Sequence, residues 1–409
     1  MLSDPLFADG LDGIDVLIIV GKAVFVFVLL LVTVLMLIWM ERKVVADMQN
    51  RIGPNRAGPF GILQSVADGV KLFFKEQSIP DSADRPVFRL APYLSVLPAF
   101  LAFSVIPLGG TVTIAGRETY VQLAEIPIGV LFVLAMSGVG IYGVMLAGWS
   151  SGSKYPLLGS VRATAQMISY EAALGLSIVG AVLVGNTLST RGMVLEQGPW
   201  DGINTVGEWF FIPALVSFVI FVIAMIAETN RAPFDLVEAE QELVGGFHTE
   251  YTGVRFAIFF LAEYMNMVTM AAIAVTLFLG GPAGPHIDVF PHIWPVVWFL
   301  LKVSLFIFLY FWLRATLPRM RYDQLMDLGW RWLIPISVLW IAALAVFRVG
   351  AEEDWPLGVT IPVVLAGAGA VAAFLWAAMP VRQPLQRRGV APRGAVHHAA
   401  SDAEEVRGG

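Results

Sequence analysis

The chain has 409 residues, 57% of them hydrophobic and only 14% charged. Soluble domains carry roughly 25% charged residues, so most of this chain cannot face water. It has no cysteine, which excludes disulfides, thiolate-held zinc and Cys-ligated iron-sulfur clusters, and its formal charge of −6 says little for a protein whose charges are divided between two aqueous faces.

In chain order, the apolar runs are Val16 to Met40, Ala91 to Leu108, Ile126 to Trp149, Arg162 to Val184, Trp209 to Ala227, Arg255 to Leu279, Ile293 to Leu313, Leu333 to Phe347 and Thr360 to Met379. Each is long enough to cross, or nearly cross, a hydrocarbon core of about 30 Å. They predict an all-α polytopic membrane protein with about nine transmembrane helices, residues 1–380 forming one transmembrane helical domain and 381–409 a cytoplasmic, disordered tail without the apolar residues to build a core. The first run has no basic segment before it and no small-residue cleavage site after it, so it is expected to stay as a helix. Trp330 and Trp332 suit an aromatic belt ahead of the short eighth run.

Within the first long loop, Phe60 to Glu76 has Ile62, Leu63, Val66, Val70, Phe73 and Phe74 at helical spacing, with Gln64, Asp68, Lys71 and Lys75 at the same period on the other side. This predicts an interfacial amphipathic helix, serving either as a plain surface anchor or as one wall of a lateral opening for a lipid-like substrate. Lys and Arg concentrate in the first, third, fifth and seventh loops and the tail, while the alternate loops hold only Arg117, Arg191 and Arg348. By the positive-inside rule the N-terminus is outside and the C-terminus cytoplasmic.

Ionisable residues beside and within the spans carry the functional signal. Glu228, Asp235, Glu238, Glu240 and Glu242 crowd the segment between the fifth and sixth runs, and carboxylates beside a bilayer suggest proton handling or ion binding. Asp235 and Glu238 are equally explained as first-turn acids of a helix begun at Pro233. Glu171 and Glu263 follow Arg162 and Arg255, and helices starting at those arginines would place them roughly 12 to 14 Å inward. Lys302 lies near the middle of the seventh run, too deep to snorkel easily, and is expected to pair with an acid or line water. None of the five histidines lies within an apolar run, so no haem, metal site or other redox centre is expected in this chain. No internal repeat is evident, which counts weakly against the main alternative, a self-sufficient proton-coupled secondary transporter.

Four motifs bring a family into view: Glu41-Arg-Lys with Arg51 to Gln64 and Ala67 to Leu72, Gly148 to Gly159 running to Ile168-Ser-Tyr-Glu171, the acidic segment through Glu250-Tyr251 to Ala262-Glu-Tyr264, and Trp312 to Leu325. Together they resemble the H-subunit family of proton-pumping NADH:quinone oxidoreductase, respiratory complex I, in a bacterial cell membrane. The resemblance implies quinone (menaquinone or ubiquinone) as substrate, and FMN and iron-sulfur clusters only in partner subunits. It implies as partners the hydrophilic quinone-site subunits, the neighbouring membrane-arm subunits and the bilayer, with no nucleic acid. It further implies quinone-chamber roles for Arg42, Asp68, Lys71, Arg319 and Arg321, and an acidic proton path through Glu171, Glu228, Asp235, Glu238, Glu240, Glu242, Glu250 and Glu263. With Lys302 added, these are the candidate site residues, none of them catalytic in this chain alone. Where some family members place an acid in the third helix this chain has Gly138, so another group or water must serve there. The family core has eight helices, and the ninth run with its tail is a variable addition.

Overall fold

The computed structural model describes residues 4–7, 12–198, 208–236, 243–285 and 293–356, together with 362, 363, 365–367, 369 and 373. The ninth run and the tail therefore lie almost wholly outside the described residues, as do Glu238, Glu240 and Glu242.

Helix α1, Gly13–Met48, begins where the Asp12 side chain accepts from the Gly13 amide and Asp15 answers from the first turn. Its 36 residues span about 54 Å, more than the hydrocarbon core, so its last turns extend past the lipid and carry Glu41 and Arg42 out to the interface. The predicted amphipathic helix is shorter than its apolar period suggests. Phe60 and Gly61 both have left-handed backbones, φ 55° and 78°, which end a 3-10 turn at Pro59–Gly61 before α2 runs from Gln64 to Phe74. A side chain at Gly61 would overlap the Pro54 carbonyl as well as straining the backbone, so glycine is required there. Val66, Val70, Phe73 and Phe74 of α2 are all exposed, as expected of a helix lying at a lipid surface.

The remaining long helices are α3 (Arg85–Ser104), α4 (Gly129–Ser150), α5 (Lys154–Gly185), α8 (Val254–Phe278), α9 (Trp294–Thr316) and α10 (Tyr322–Glu352), separated by the short α6 (Thr190–Glu196) and α7 (Leu215–Glu228). Seven helices among the described residues, α1 included, are long and apolar enough to cross a membrane, and α7 is a shorter apolar one. Three expectations change. Helix α5 starts at Lys154, well before Arg162, so Glu171 falls near mid-helix. The Trp209 to Ala227 run becomes a turn followed by the 14-residue α7, about 21 Å long. A small antiparallel hairpin, Thr111–Ile114 with Arg117–Tyr120, occupies the loop after α3, where hydropathy gave no strand. The bundle is otherwise all helical.

Helix α8 is the axis of the bundle, buried without interruption from Met267 to Phe278. Helix α5 packs across α4, α7 and α10. A π-helical turn at Leu328–Leu333 lets α10 settle against α5: Gly329 lies under the Tyr170 ring, whose hydroxyl donates to the Leu325 carbonyl at 2.9 Å, and Trp330 donates to Ser169 at 3.1 Å. The ends of α1, α4, α7 and α9 and the starts of α3, α5, α8 and α10 share one face of the bundle. Asp84 donates to the Ser150 carbonyl there, Met320 to that of Pro233, and Ser78 to the Thr252 hydroxyl.

Candidate functional site

Adjacent residues at the end of α1 point to different surroundings, because successive helical side chains are turned by about 100°. Arg42 faces outward and meets Asp68 of α2 at 2.6 Å; Lys71 stands 3.9 Å from the same carboxylate, and Gln64 donates to it at 3.2 Å. The three expected chamber residues Arg42, Asp68 and Lys71 therefore form one half-exposed cluster.

Glu41 faces inward and is buried. It accepts from the Tyr264 hydroxyl at 2.6 Å and from Arg231 at 3.3 Å, and it is ion-paired with Arg314. Arg231 also lies 2.9 Å from Glu263 of α8, and its guanidinium sits 4.2 Å over the Tyr264 ring. The four charges alternate in sign, Glu263, Arg231, Glu41, Arg314, an arrangement in which each buried charge has an opposite neighbour. Composition alone did not single out Glu41 and Arg231. Both sit at the rim of an apolar run, where a flanking charge is the ordinary expectation, and the available signal was that each lies beside a residue already suspected.

Beyond Glu263 lies a cavity of about 90 Å³ bounded by α3, α4, α7, α8 and the turn before α8, lined by Ser95, Glu228, Asn230, His248, Glu263 and Asn266 among apolar residues. Since one water needs about 10–15 Å³ of such space, it accommodates several. Glu228 is fully buried at the end of α7; its Oε1 accepts from Ser137 at 2.9 Å and its Oε2 has no partner. A Cβ built on Gly138 would lie 3.1 Å from Glu171 Oε1, so the missing side chain leaves the room that the Glu171 carboxyl takes. Ser137 and Gly138 thus bring Glu228 and Glu171 to one stretch of α4, at the position where the resemblance led one to look for a substitute acid.

No helix begins at Pro233: the chain from Arg231 to Leu236 forms turns, so Asp235 is not the first-turn acid of a helix started there, and the buried Asp235 pairs with Arg319 at 3.0 Å. Arg321 pairs with its near neighbour Asp323 at 3.2 Å on the exposed surface. Glu250 lies in the turn before α8, outside the cavity lining. Glu238, Glu240 and Glu242 fall outside the described residues. Lys302 contradicts the expected acid partner. Its ammonium donates to the carbonyls of Leu279, Gly281 and Ala283 at 2.6, 3.0 and 2.6 Å and lies 4.2 Å over the Trp209 ring, capping the end of α8 on the face opposite the cavity. The freed carbonyls at a helix end carry the negative pole of its dipole, which suits a cation.

Electrostatics of the connecting turn differ from those of the pairs. Burial pushes the His248 imidazole down from 6.5 to about 4 against the opposing pull of Asp235, so it is neutral at pH 7. Tyr251, stacked on Phe88 with ring centres 4.0 Å apart and donating to the Phe88 carbonyl at 3.1 Å, has its phenol pushed up to about 12 by burial. Among the described residues no group of three or more His, Cys, Asp or Glu could hold a metal ion.

Residues 21–345 match the family model described as NADH dehydrogenase. The chain is 55% identical over 355 residues to the NADH-quinone oxidoreductase H-subunit of Frankia alni, covering 86% of this chain and 77% of that protein. It is also 55% identical over 336 residues to the protein of the same name from Frankia casuarinae, covering 81% and 73% respectively. The four motifs and the Glu41–Arg231–Glu263 series fall inside the matched region, and the chain belongs to the NADH dehydrogenase family.

Proposed function

We propose that the chain is a membrane subunit of a bacterial NADH:quinone oxidoreductase, complex I, that forms part of the quinone chamber and couples quinone reduction to proton translocation. The observation that carries this reading is the placement of charges from interface to interior. Arg42 and Asp68 stand at the lipid surface, and the neighbouring Glu41 opens the series Arg231, Glu263, cavity and Glu228. The exposed apolar side of α2 suits an isoprenoid tail, and Arg42, Asp68 and Lys71 offer polar groups for a quinone headgroup at its edge. Arg319 and Arg321 lie on the same face of the bundle and complete the proposed chamber set. Electrons come from flavin and iron-sulfur clusters of partner subunits; menaquinone or ubiquinone is the acceptor.

Quinone reduction consumes protons with its electrons, and a negative charge developing near Arg42 weakens its hold on Asp68. Because Glu41 is the next residue on the same helix, a shift of α1 that re-aims Arg42 also disturbs the Glu41–Arg231–Glu263 series. A carboxyl at Glu228 with one oxygen held by Ser137 and one free toward the cavity is placed to take up or release a proton. The basic face of the bundle is then cytoplasmic, with the N-terminus outside.

In the assembled complex, Arg42→Ala and Asp68→Ala are expected to lower NADH:quinone activity while NADH:ferricyanide activity, which reports the flavin end, stays intact. Glu228→Gln and Glu263→Gln keep volume but delete a titratable site, and are expected to lower pumping measured with a pH-sensitive dye in sealed vesicles. Equal loss of both activities in the first pair would refute the chamber assignment. Normal pumping in both glutamine variants would refute the proton coupling.

A further inference from the structure

The coupling just described uses carboxylates on α7 and α8 and leaves aside the imidazole on the same cavity. His248 ends a 3-10 turn, Gly246–His248, held against α5 backbone to backbone: a Cβ on Gly159 would come within 2.8 Å of Gly246. The ring is wedged edge-on between Phe247 and Phe256, with centroids 4.9 and 5.4 Å away, so its position is set by packing. It lines the cavity together with Glu228, Glu263, Asn230 and Asn266. Asp235 is close enough for its charge to act on the ring. Both flanking acids have guanidinium partners, Asp235 with Arg319 at 3.0 Å and Glu263 with Arg231 at 2.9 Å.

The cavity itself is built to hold something polar. Glu228 is fully buried, its Oε2 has no partner, and Asn230 Oδ1 and Ser95 Oγ are likewise buried without one. Three unmet acceptors around a space for several waters are what a short hydrogen-bonded water file needs at its walls.

We propose that His248 is a proton-relay residue, passing protons between the acidic segment at Asp235 and the cavity that holds Glu228 and Glu263. This rests on the proton-coupling reading above. A neutral imidazole has one bare nitrogen and one N–H. The bare nitrogen accepts a proton from one side as the other nitrogen releases its own, so the ring gains and loses one proton and no oxidant or reductant is involved. A turn of the ring or exchange with cavity water restores the starting tautomer. Neutrality of the resting ring, enforced by its buried site, keeps it from trapping the proton as a salt with either acid.

The test uses the assembled complex in sealed vesicles, comparing His248→Ala and His248→Gln. Loss of a relay is expected to slow coupled turnover about tenfold or more and to raise the solvent deuterium isotope effect, with NADH:ferricyanide activity unchanged. Added imidazole is expected to restore part of the turnover in His248→Ala, which a packing role would not allow. Full turnover with an unchanged isotope effect in both variants overturns the proposal. So does full turnover in His248→Gln beside an unrescued loss in His248→Ala, which would mark a hydrogen-bonding spacer. Should His248→Ala not assemble, turnover and isotope effect in His248→Gln decide alone. Normal pumping in the His248 variants with lost pumping in Glu228→Gln or Glu263→Gln sinks the relay and spares the underlying reading; normal pumping in both glutamine variants sinks that reading itself.

Discussion

The two ends of the bundle use buried charge in opposite ways. On the basic face, Glu41, Arg231 and Glu263 are paired through a shared arginine beside a cavity, and Glu228 keeps an unpartnered oxygen turned inward. On the opposite face Lys302 spends its donors on three backbone carbonyls, and Arg191 lies flat on the Tyr120 ring, 3.2 Å from its centre. Burial holds Glu125 in the loop nearby above the usual carboxylate range, with Arg191 opposing, and pushes Arg191 down. Depth alone therefore does not say what an ionisable group in a membrane bundle meets. The far face also holds ordinary ion pairs, Asp4 with Lys22 at 3.3 Å and Asp15 with Arg117 at 3.7 Å, so what separates Lys302 from Glu228 is that one meets fixed backbone dipoles and the other lines a cavity with room for water.

The largest expected effect breaks the first region directly. Arg231→Leu leaves Glu41 and Glu263 buried without their shared cation, and losing one partner of a buried pair costs about 3–5 kcal/mol. A sharply lowered melting point of the purified complex, with NADH:quinone activity lost, is expected; a near-normal melt would mean the acids are already neutral.

The second contrast is with Lys302→Met, which removes three charge-assisted hydrogen bonds, each worth about 1.5–3 kcal/mol, but also relieves the burial cost of the ammonium, so the net loss is expected to be smaller than for Arg231→Leu. Stability falls, but protons pumped per NADH in surviving complex stay unchanged. A fall in that ratio would move Lys302 back into the proton path. Smaller still, Ser137→Ala deletes one donor to Glu228 at about 1 kcal/mol, and its signature is a shifted pH profile of turnover with little change in melting.

The smallest effect is local. His248 is held at about 4 in the fold against 6.5 when free, so the unfolded turn binds more protons between those values. Its contribution is complete above pH 6.5 and is lost as pH falls toward 4. Amide protection across Gly246 to Tyr251, corrected for the intrinsic pH dependence of exchange, is expected to fall as pH drops through that window, and His248→Gln should flatten the response.

Much of the membrane architecture was legible because hydropathy is a property of consecutive residues. The interfacial helix was legible through its period, though not its broken start, since the left-handed backbone at Phe60 is dictated by contacts with the Pro54 segment. Arg42, Asp68 and Lys71 are named by the family's motifs, and they meet because α1 and α2 are neighbours in the chain. The helix bearing Glu171 starts earlier than hydropathy indicates, because the weakly polar segment from Lys154 onward joins it and packs against the turn at Gly246.

By itself, the sequence determined which segments leave water, where the charges fall along them and which family's motifs they spell. Only the tertiary structure decided which charges meet and what surrounds them. Glu41 and Arg314 are 273 positions apart and Arg231 lies 190 from Glu41, so no local pattern announces that they meet. Lys302 and Glu228 are both ionisable groups set in apolar runs. Packing places one among the freed carbonyls of a helix end and the other on a cavity with an oxygen to spare, a difference in surroundings fixed by helices far apart in the chain.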